Sequence, residues 1–368
     1  MKKWTLIATI LLLGNFQVTL FGQEQWTWTN PMESLPTNSV HGKIGADASF
    51  TRLPSSLKEQ VRPPVWNLSK HAAGLKLRFR TGASTIQVRY TVSGNVAMPH
   101  MPATGVSGLD VYTRDESGAW VWVKGDYSFA DTIRYSFPIK TGDSIPREFD
   151  LYLPLYNEVV YLEVGVPSDA SIEFLPKSLD ELPILVYGTS IAQGACASRP
   201  GMAWTALLER HLNLPLINLG FSGNGQLETP LIQLMATQES SLYVLDCLPN
   251  LVRETFSESE VKQRIRNAVV YLKEKRPGTP VLLVEHAGYT DELVNKERKN
   301  TYEIRNKWSR EVYEELINSG TEDLYYLDKE AIGLSMDDTV DGTHPSDLGM
   351  SRYAAGYARA VESIFREQ

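Results

Sequence analysis

The hydrophobic residues of this 368-residue chain change their period once, near residue 178, and that change constrains the fold more than any other feature. Over residues 75–174, apolar side chains recur at every second position: Leu75, Leu77 and Phe79; Ile86, Val88, Tyr90 and Val92; Leu109 and Val111; Phe149, Leu151 and Leu153; Val160, Leu162, Val164 and Val166. Successive side chains of a strand point to opposite faces, so period two predicts strands buried on one side. Turn formers separate them at Ser93-Gly94-Asn95, Asp115-Glu116-Ser117-Gly118 and Thr141-Gly142-Asp143, the spacing of an antiparallel sandwich or jelly roll with no helix interrupting it. After Lys177-Ser178-Leu179-Asp180, short apolar runs at 184–187, 216–219, 242–245, 281–284 and 324–327 lack polar alternation and read as parallel strands buried on both faces. Segments of period 3.6 fill the gaps. Trp204, Leu207, Leu208, His211 and Leu212 share one helix face, as do Val261, Ile265, Ala268, Val269 and Leu272, then Ile304, Trp308, Val312 and Leu316, and last Tyr353, Ala354, Tyr357, Val361 and Phe365. Right-handed crossovers fold this pattern into a three-layer α/β/α doubly wound domain that binds ligands beyond the carboxyl ends of its strands. The expected division is an all-β sandwich over 23–177 and the α/β domain over 178–368.

Residues 1–22 stand apart. Met1-Lys2-Lys3 is positive and the apolar run at 6–13 is far shorter than the ~20 residues that span a bilayer, which predicts a secretory signal peptide cut after Gly22. No cysteine follows that run, so a lipid anchor is not expected, and the mature protein is expected to be exported, to the periplasm or the medium. Lys and Arg number 36 against 44 Asp and Glu, with no block of like charge, which excludes a basic nucleic-acid footprint and a polybasic membrane surface. Two cysteines make no disulfide scaffold, but Cys196 and Cys247 flank adjacent predicted strands and could form one bridge in an exported protein, or remain buried thiols. Homodimerisation stays open.

The carboxyl ends of the strands are where chemistry is sought. The first ends in Tyr187-Gly188-Thr189-Ser190-Ile191-Ala192-Gln193-Gly194, a serine at a strand-to-helix junction that alone could be only a helix cap. Gly220-Phe221-Ser222-Gly223-Asn224-Gly225 ends the second, where glycines let backbone N–H groups approach a ligand. Asp246-Cys247-Leu248-Pro249-Asn250 follows the third, and Asn250 alone would be an ordinary turn residue. Asp341-Gly342-Thr343-His344 follows the fifth, and its carboxylate can meet its imidazole, fixing the tautomer and leaving the other ring nitrogen free as a base. One sheet edge would gather all four: a nucleophile, two sources of oxyanion donors, and a base with its orienter. The α/β-hydrolase elbow Gly-x-Ser-x-Gly is not matched, because Ala192 stands at its fifth position.

In order, spacing and residue type these blocks resemble the SGNH hydrolases, the GDSL esterase and lipase superfamily, with Gly188-Thr189-Ser190, Gly223, Asn250 and Asp341 to His344 as the successive blocks. Gly108-Leu109-Asp110-Val111-Tyr112 is similar to the GxDLY motif of the sandwich that precedes some bacterial members, so the resemblance spans nearly all of the mature chain. Two departures are visible: Thr189 stands where the family name has Asp, and Asp246-Cys247-Leu248-Pro249-Asn250 replaces the common Gly-x-Asn-Asp while keeping the Asn. The resemblance implies a flavodoxin-like hydrolase domain and a serine esterase. In it Ser190 attacks an ester carbonyl, His344 takes its proton, Asp341 holds the imidazole, and the N–H groups of Ser190 and Gly223 with the Asn250 amide hold the oxyanion before an acyl-serine is hydrolysed. No metal or organic cofactor is expected. An exported enzyme of this kind resembles carbohydrate esterases that remove acetyl groups. A longer-chain lipase comes second, since no long apolar lid is evident, and a glycan-binding protein without activity is made improbable by the intact Ser190, Asp341 and His344.

Outside these blocks, His41, His71, His100, His211 and His286 include no i, i+4 pair, which disfavours a metal site. His211 is expected to pack on its apolar helix face, and His286, after the fourth strand, could touch substrate. Arg199 is expected to be a solvated loop cation or a substrate contact. Trp120 and Trp122 are expected in the sandwich core, with a sugar-stacking platform as the alternative. Asp110 and Tyr112 should fix the sandwich or its contact with the α/β domain.

Overall fold

In a computed structural model the chain is described over residues 25–34, 39–47, 49–178 and 180–367, so the expected signal peptide lies outside the described residues. Two antiparallel sheets face each other in the N-terminal part. One has the spatial order Trp26–Thr29, Val159–Pro167, Thr85–Val92, Ile133–Pro138, Asp126–Ser128; the other runs Ile172–Phe174, Lys76–Thr81, Arg147–Tyr152, Asp110–Arg114, Trp120–Val123, with Val40–His41 beside Lys76–Thr81. The predicted alternation is what packs them, because Leu77, Phe79, Ile86, Val88, Tyr90, Val111, Phe149, Leu151, Leu162 and Val164 all bury in one core. Val160 departs from it. A bulge between Val159 and Tyr161 shifts the register against Thr85–Val92, so Val159 turns inward and Val160 is left 64% exposed. A single helical turn, Ala103–Val106, also breaks the region expected to be free of helix; it is too short to leave a periodic signature. The two tryptophans are not in the sandwich core either. Their strand is the outermost of its sheet, Trp120 lies under Arg114, and Trp122 is 44% exposed beneath the Arg199 guanidinium.

The C-terminal sheet is wholly parallel, in the order Leu216–Gly220, Ile184–Gly188, Leu242–Asp246, Val281–Val284, Leu324–Leu327. Alternate residues feed two cores. Leu185, Tyr187, Ile217, Leu219, Tyr243 and Leu245 pack against helices Thr229–Thr237, Glu258–Lys275 and Lys296–Asn318, while Ile184, Val186, Leu216, Leu242, Val244 and Leu282 pack against Trp204–Leu212 and Asp347–Glu367. Two helix faces differ from expectation. Lys296–Asn318 buries Tyr302, Arg305, Ser309, Val312 and Leu316 and leaves Ile304 exposed, because polar partners occupy positions that hydrophobicity alone would turn outward. His211 lies in the solvent-facing last turn of its helix and pairs with Glu362 at 3.1 Å.

Sandwich and α/β domain share their cores. Ile44, Leu53, Leu57, Val61 and Val65 pack with Leu185 and Leu219, and Ala73, Met101, Val106, Leu155 and Tyr156 pack with Ile191 and Trp204. Polar staples add to this burial. Arg52 is wholly buried and donates to the carbonyls of Leu68, His71, Asn218 and Gly220, the last two at the carboxyl end of the edge strand Leu216–Gly220. Lys76, also buried, bridges Asp150 of the sandwich and Glu209 of the helix Trp204–Leu212 at 2.9 Å each. Breaking one partner of such a buried set typically costs about 3–5 kcal/mol, so the two parts act as one folded unit.

Candidate active site

Where the central strand Ile184–Gly188 ends, Thr189 caps the short helix Ser190–Gln193 and its hydroxyl accepts from Ile191 N. This cap sets Ser190 at the first helical position, with its Oγ 2.9 Å from His344 Nε2. On the other side of the imidazole, Nδ1 lies 2.7 Å from Asp341 Oδ2, and Asp341 Oδ1 accepts the backbone N–H groups of His344 and Thr343. Burial alone would raise the Asp341 carboxyl, but these hydrogen bonds outweigh it and hold the group below its usual range. An ionised carboxylate can only accept. Nδ1 therefore carries the ring proton and Nε2 faces the Ser190 hydroxyl as an acceptor, which is the arrangement of a general base on a nucleophile.

The neighbouring strands bring the other loops to the same edge, since Gly188 pairs with Gly220 on one side and Asp246 on the other. Gly225 crosses so close that a Cβ there would lie 2.0 Å from Gly188 O, and Ser222 N donates to the side chain of Gln193, the last residue of the serine's helical turn. Gly223 adopts φ +67° in the tight turn between them. Asn250 ends a 3₁₀ turn after the third strand; it is buried, and its side-chain oxygen has no donor among the described residues.

Several sequence candidates fall elsewhere. His286 is buried, accepts from Gly288 N at 2.9 Å and stacks on Tyr302; burial and the nearby Arg298 and Lys329 charges push it down to about 3, so it supports the loop as a neutral ring. Arg199 neither floats in solvent nor faces the serine. It donates to Asp110 and Tyr112, and Asp110 also accepts from Gly201 N at 2.7 Å and Trp122 Nε1 at 2.9 Å, so the Asp110 and Tyr112 pair joins the sandwich to the loop after the serine. Cys196 and Cys247 are free thiols, because they sit in cores on opposite faces of the sheet. Cys196, Asp341 and His344 offer ligand atoms within 4.8 Å of one another, the one such metal-capable group among the described residues. Burial and the Asp341 charge push the Cys196 thiol up to about 12, and the other two are already bonded to each other, so a metal would have to displace the relay.

What holds His344 in place has no local signature in the sequence. Ser198 N and Oγ donate to Asp347 at 2.8 and 2.5 Å, and Arg298 donates to Thr343 at 2.7 Å and to Asp291 at 2.8 Å. A cavity of about 800 Å³ opens near the amino ends of the strands, but the Lys76, Arg78, Asp150 and Glu209 charges lining it are paired among themselves.

Asp246, at the end of its strand, is a buried carboxyl whose Oδ2 has no donor among the described residues, and burial pushes it up to about 7. A proton held to about pH 7 in the fold but released near 3.8 when unfolded favours the fold at low pH. That contribution is lost as pH rises from about 4 through 7, by roughly 4 kcal/mol in all. Asp246→Asn is expected to raise the melting temperature by several degrees at pH 8 and much less at pH 5. Equal shifts in calorimetry at both pH values would contradict the buried neutral carboxyl.

Comparison with known proteins shows the family and the fold. The model of the GDSL-like lipase/acylhydrolase family matches residues 181–362, and a model described as the N-terminus of SGNH hydrolase-type esterases matches 26–172. A protein described as a GDSL-like lipase from Bacteroides ovatus is 31% identical, with a TM-score of 0.83 over 93% of this chain and 98% of its own. A salicylyl-acyltransferase from a tetracycline biosynthetic pathway is 21% identical (TM-score 0.72, 92% of this chain and 98% of its own). A family two carbohydrate esterase from Cellvibrio japonicus shares the fold at 14% identity (TM-score 0.56, 93% and 99%). No curated protein matches the chain.

Proposed function

We propose that this chain, which belongs to the GDSL-like lipase/acylhydrolase family and is an ester-hydrolysing enzyme, is exported and removes O-acetyl groups from carbohydrate through an acyl-serine. One observation carries the mechanism: the unbroken relay from Ser190 Oγ to His344 Nε2 at 2.9 Å and from Nδ1 to Asp341 at 2.7 Å. Ser190 is the nucleophile, His344 takes its proton and returns it to the departing alcohol, and Asp341 keeps the ring in the one useful tautomer. Donors for the oxyanion are the N–H groups of Ser190 and Gly223 and the amide of Asn250. Asn250 is buried at this edge, and the NH₂ of its amide is the group that would donate to the oxyanion. No step needs a cofactor.

Support for a hydroxyl-rich alcohol comes from the polar residues around the relay: His100, beside His344, and Arg253, which donates to Gly223 O, are exposed, and Thr343 is half-buried. The carbohydrate esterases that share the fold point the same way. A second reading, longer acyl chains, is favoured by Leu293 and Val294, which are 85% and 89% exposed on a loop that Thr290 ties to Gly342. Turnover of p-nitrophenyl acetate and octanoate by the mature protein separates the two. Acetate is expected to be better by at least about tenfold in kcat/KM, because an acyl pocket built for a methyl group would exclude a longer chain by about 1–3 kcal/mol. A preference for octanoate would replace the acetyl reading with the lipid one.

A further inference from the structure

We propose that His100, contributed by the N-terminal sandwich, is a positioning residue that hydrogen-bonds a hydroxyl on the alcohol side of the ester and makes the enzyme prefer sugar esters to aryl esters; this rests on the acetylesterase reading. Met98-Pro99-His100-Met101 is a tight turn in which Met98 and Met101 exchange both backbone hydrogen bonds at 3.1 Å. Pro99 presets the first central φ, which stiffens the turn before any ligand arrives. Met101 is buried and Met98 partly so, both packed in the core that holds Ile191 and Trp204, next to the serine. The turn is thus fixed to the α/β domain rather than hanging from the sandwich. A few residues on, Thr104 donates to Ser198 O at 2.7 Å, and Gly105 passes so close that a Cβ would lie 2.3 Å from Ala197 O.

His100 is exposed at the tip of this turn, its ring centroid 6.2 Å from that of His344 and tilted by 33°. Neither of its ring nitrogens has a hydrogen-bond partner among the described residues, and the ring is exposed, so both remain open to a ligand. The alcohol must leave past His344, because that ring returns the proton to it. A second imidazole one ring away reaches substituents on the alcohol, and it can donate to or accept from a sugar hydroxyl. Nitrophenol offers no hydroxyl there.

The test compares kcat and KM of wild type, His100→Ala and His100→Gln on an acetylated methyl xyloside and on p-nitrophenyl acetate. Loss of one neutral hydrogen bond predicts a fall of about 5- to 10-fold in kcat/KM for His100→Ala on the sugar ester, mainly through KM. On p-nitrophenyl acetate the change should stay within about twofold, and His100→Gln, which keeps a donor and an acceptor, should recover most of the loss. An equal fall on both substrates, or no fall on either, would overturn the assignment of His100 while leaving the esterase reading intact. A wild type active on p-nitrophenyl acetate and inactive on the sugar ester would overturn the acetyl-sugar reading and this proposal together.

Discussion

Asp341→Asn is expected to lower kcat by on the order of 10⁴-fold while leaving the melting temperature within a few degrees of wild type. The carboxylate uses both oxygens. Oδ2 accepts from the His344 ring at 2.7 Å, and Oδ1 accepts from the backbone of His344 at 2.8 Å and of Thr343 at 3.0 Å. An amide cannot replace both acceptors. If its oxygen keeps the backbone contacts, its NH₂ faces Nδ1, which must then give up its proton and accept; the proton moves to Nε2, and the ring turns a donor toward Ser190 Oγ. If the amide is turned over, its NH₂ meets two backbone N–H groups, and the loop that presents His344 loses its anchor. Either way the base is lost while the bulk of the side chain remains. Stopped assays on p-nitrophenyl acetate beside thermal melts would check this, and a loss below tenfold would show that another group orients the ring.

The same loop shows how the sandwich bears on catalysis. Thr104 holds Ser198, Ser198 holds Asp347 at the start of the last helix, and Asp347 stands three residues from His344. Asp110 secures the other end of that loop at Gly201. The N-terminal domain is therefore part of the scaffold of the catalytic loop as well as the source of His100 at its edge.

What was legible in the sequence was what short-range pattern can encode. The five parallel strands appear within a residue of their expected limits because burial on both faces leaves unbroken apolar runs at 184–187, 216–219, 242–245, 281–284 and 324–327. Asp341 and His344 could be paired on paper because three residues on one loop decide their geometry. Contacts made by distant residues were not legible. Arg199 finds Asp110 across 89 positions and Ser198 finds Asp347 across 149, and no local feature of either residue points to its partner. The Cys196 and Cys247 pairing failed for a related reason, since proximity to adjacent strands says nothing about which side of the sheet each thiol takes. Val160 shows that even a regular alternation shifts where one extra residue enters a strand.

Ser190→Ala is expected to abolish ester hydrolysis, with a loss of on the order of 10⁴-fold or more, because it removes the atom that forms the bond and leaves only binding and oxyanion donors. The fold should not suffer. Among the described residues Ser190 Oγ is bonded to His344 alone, whereas the turn is held by backbone bonds from Gly194 and Ala195 to Ser190 O. The most direct measurement is to quench wild type and Ser190→Ala in acid during turnover of p-nitrophenyl acetate and to map acetylated peptides by mass spectrometry. An acetyl group on the peptide carrying Ser190, absent from the variant, is the predicted result. Acetylation of Cys196 or another residue, or undiminished hydrolysis by Ser190→Ala, would contradict it.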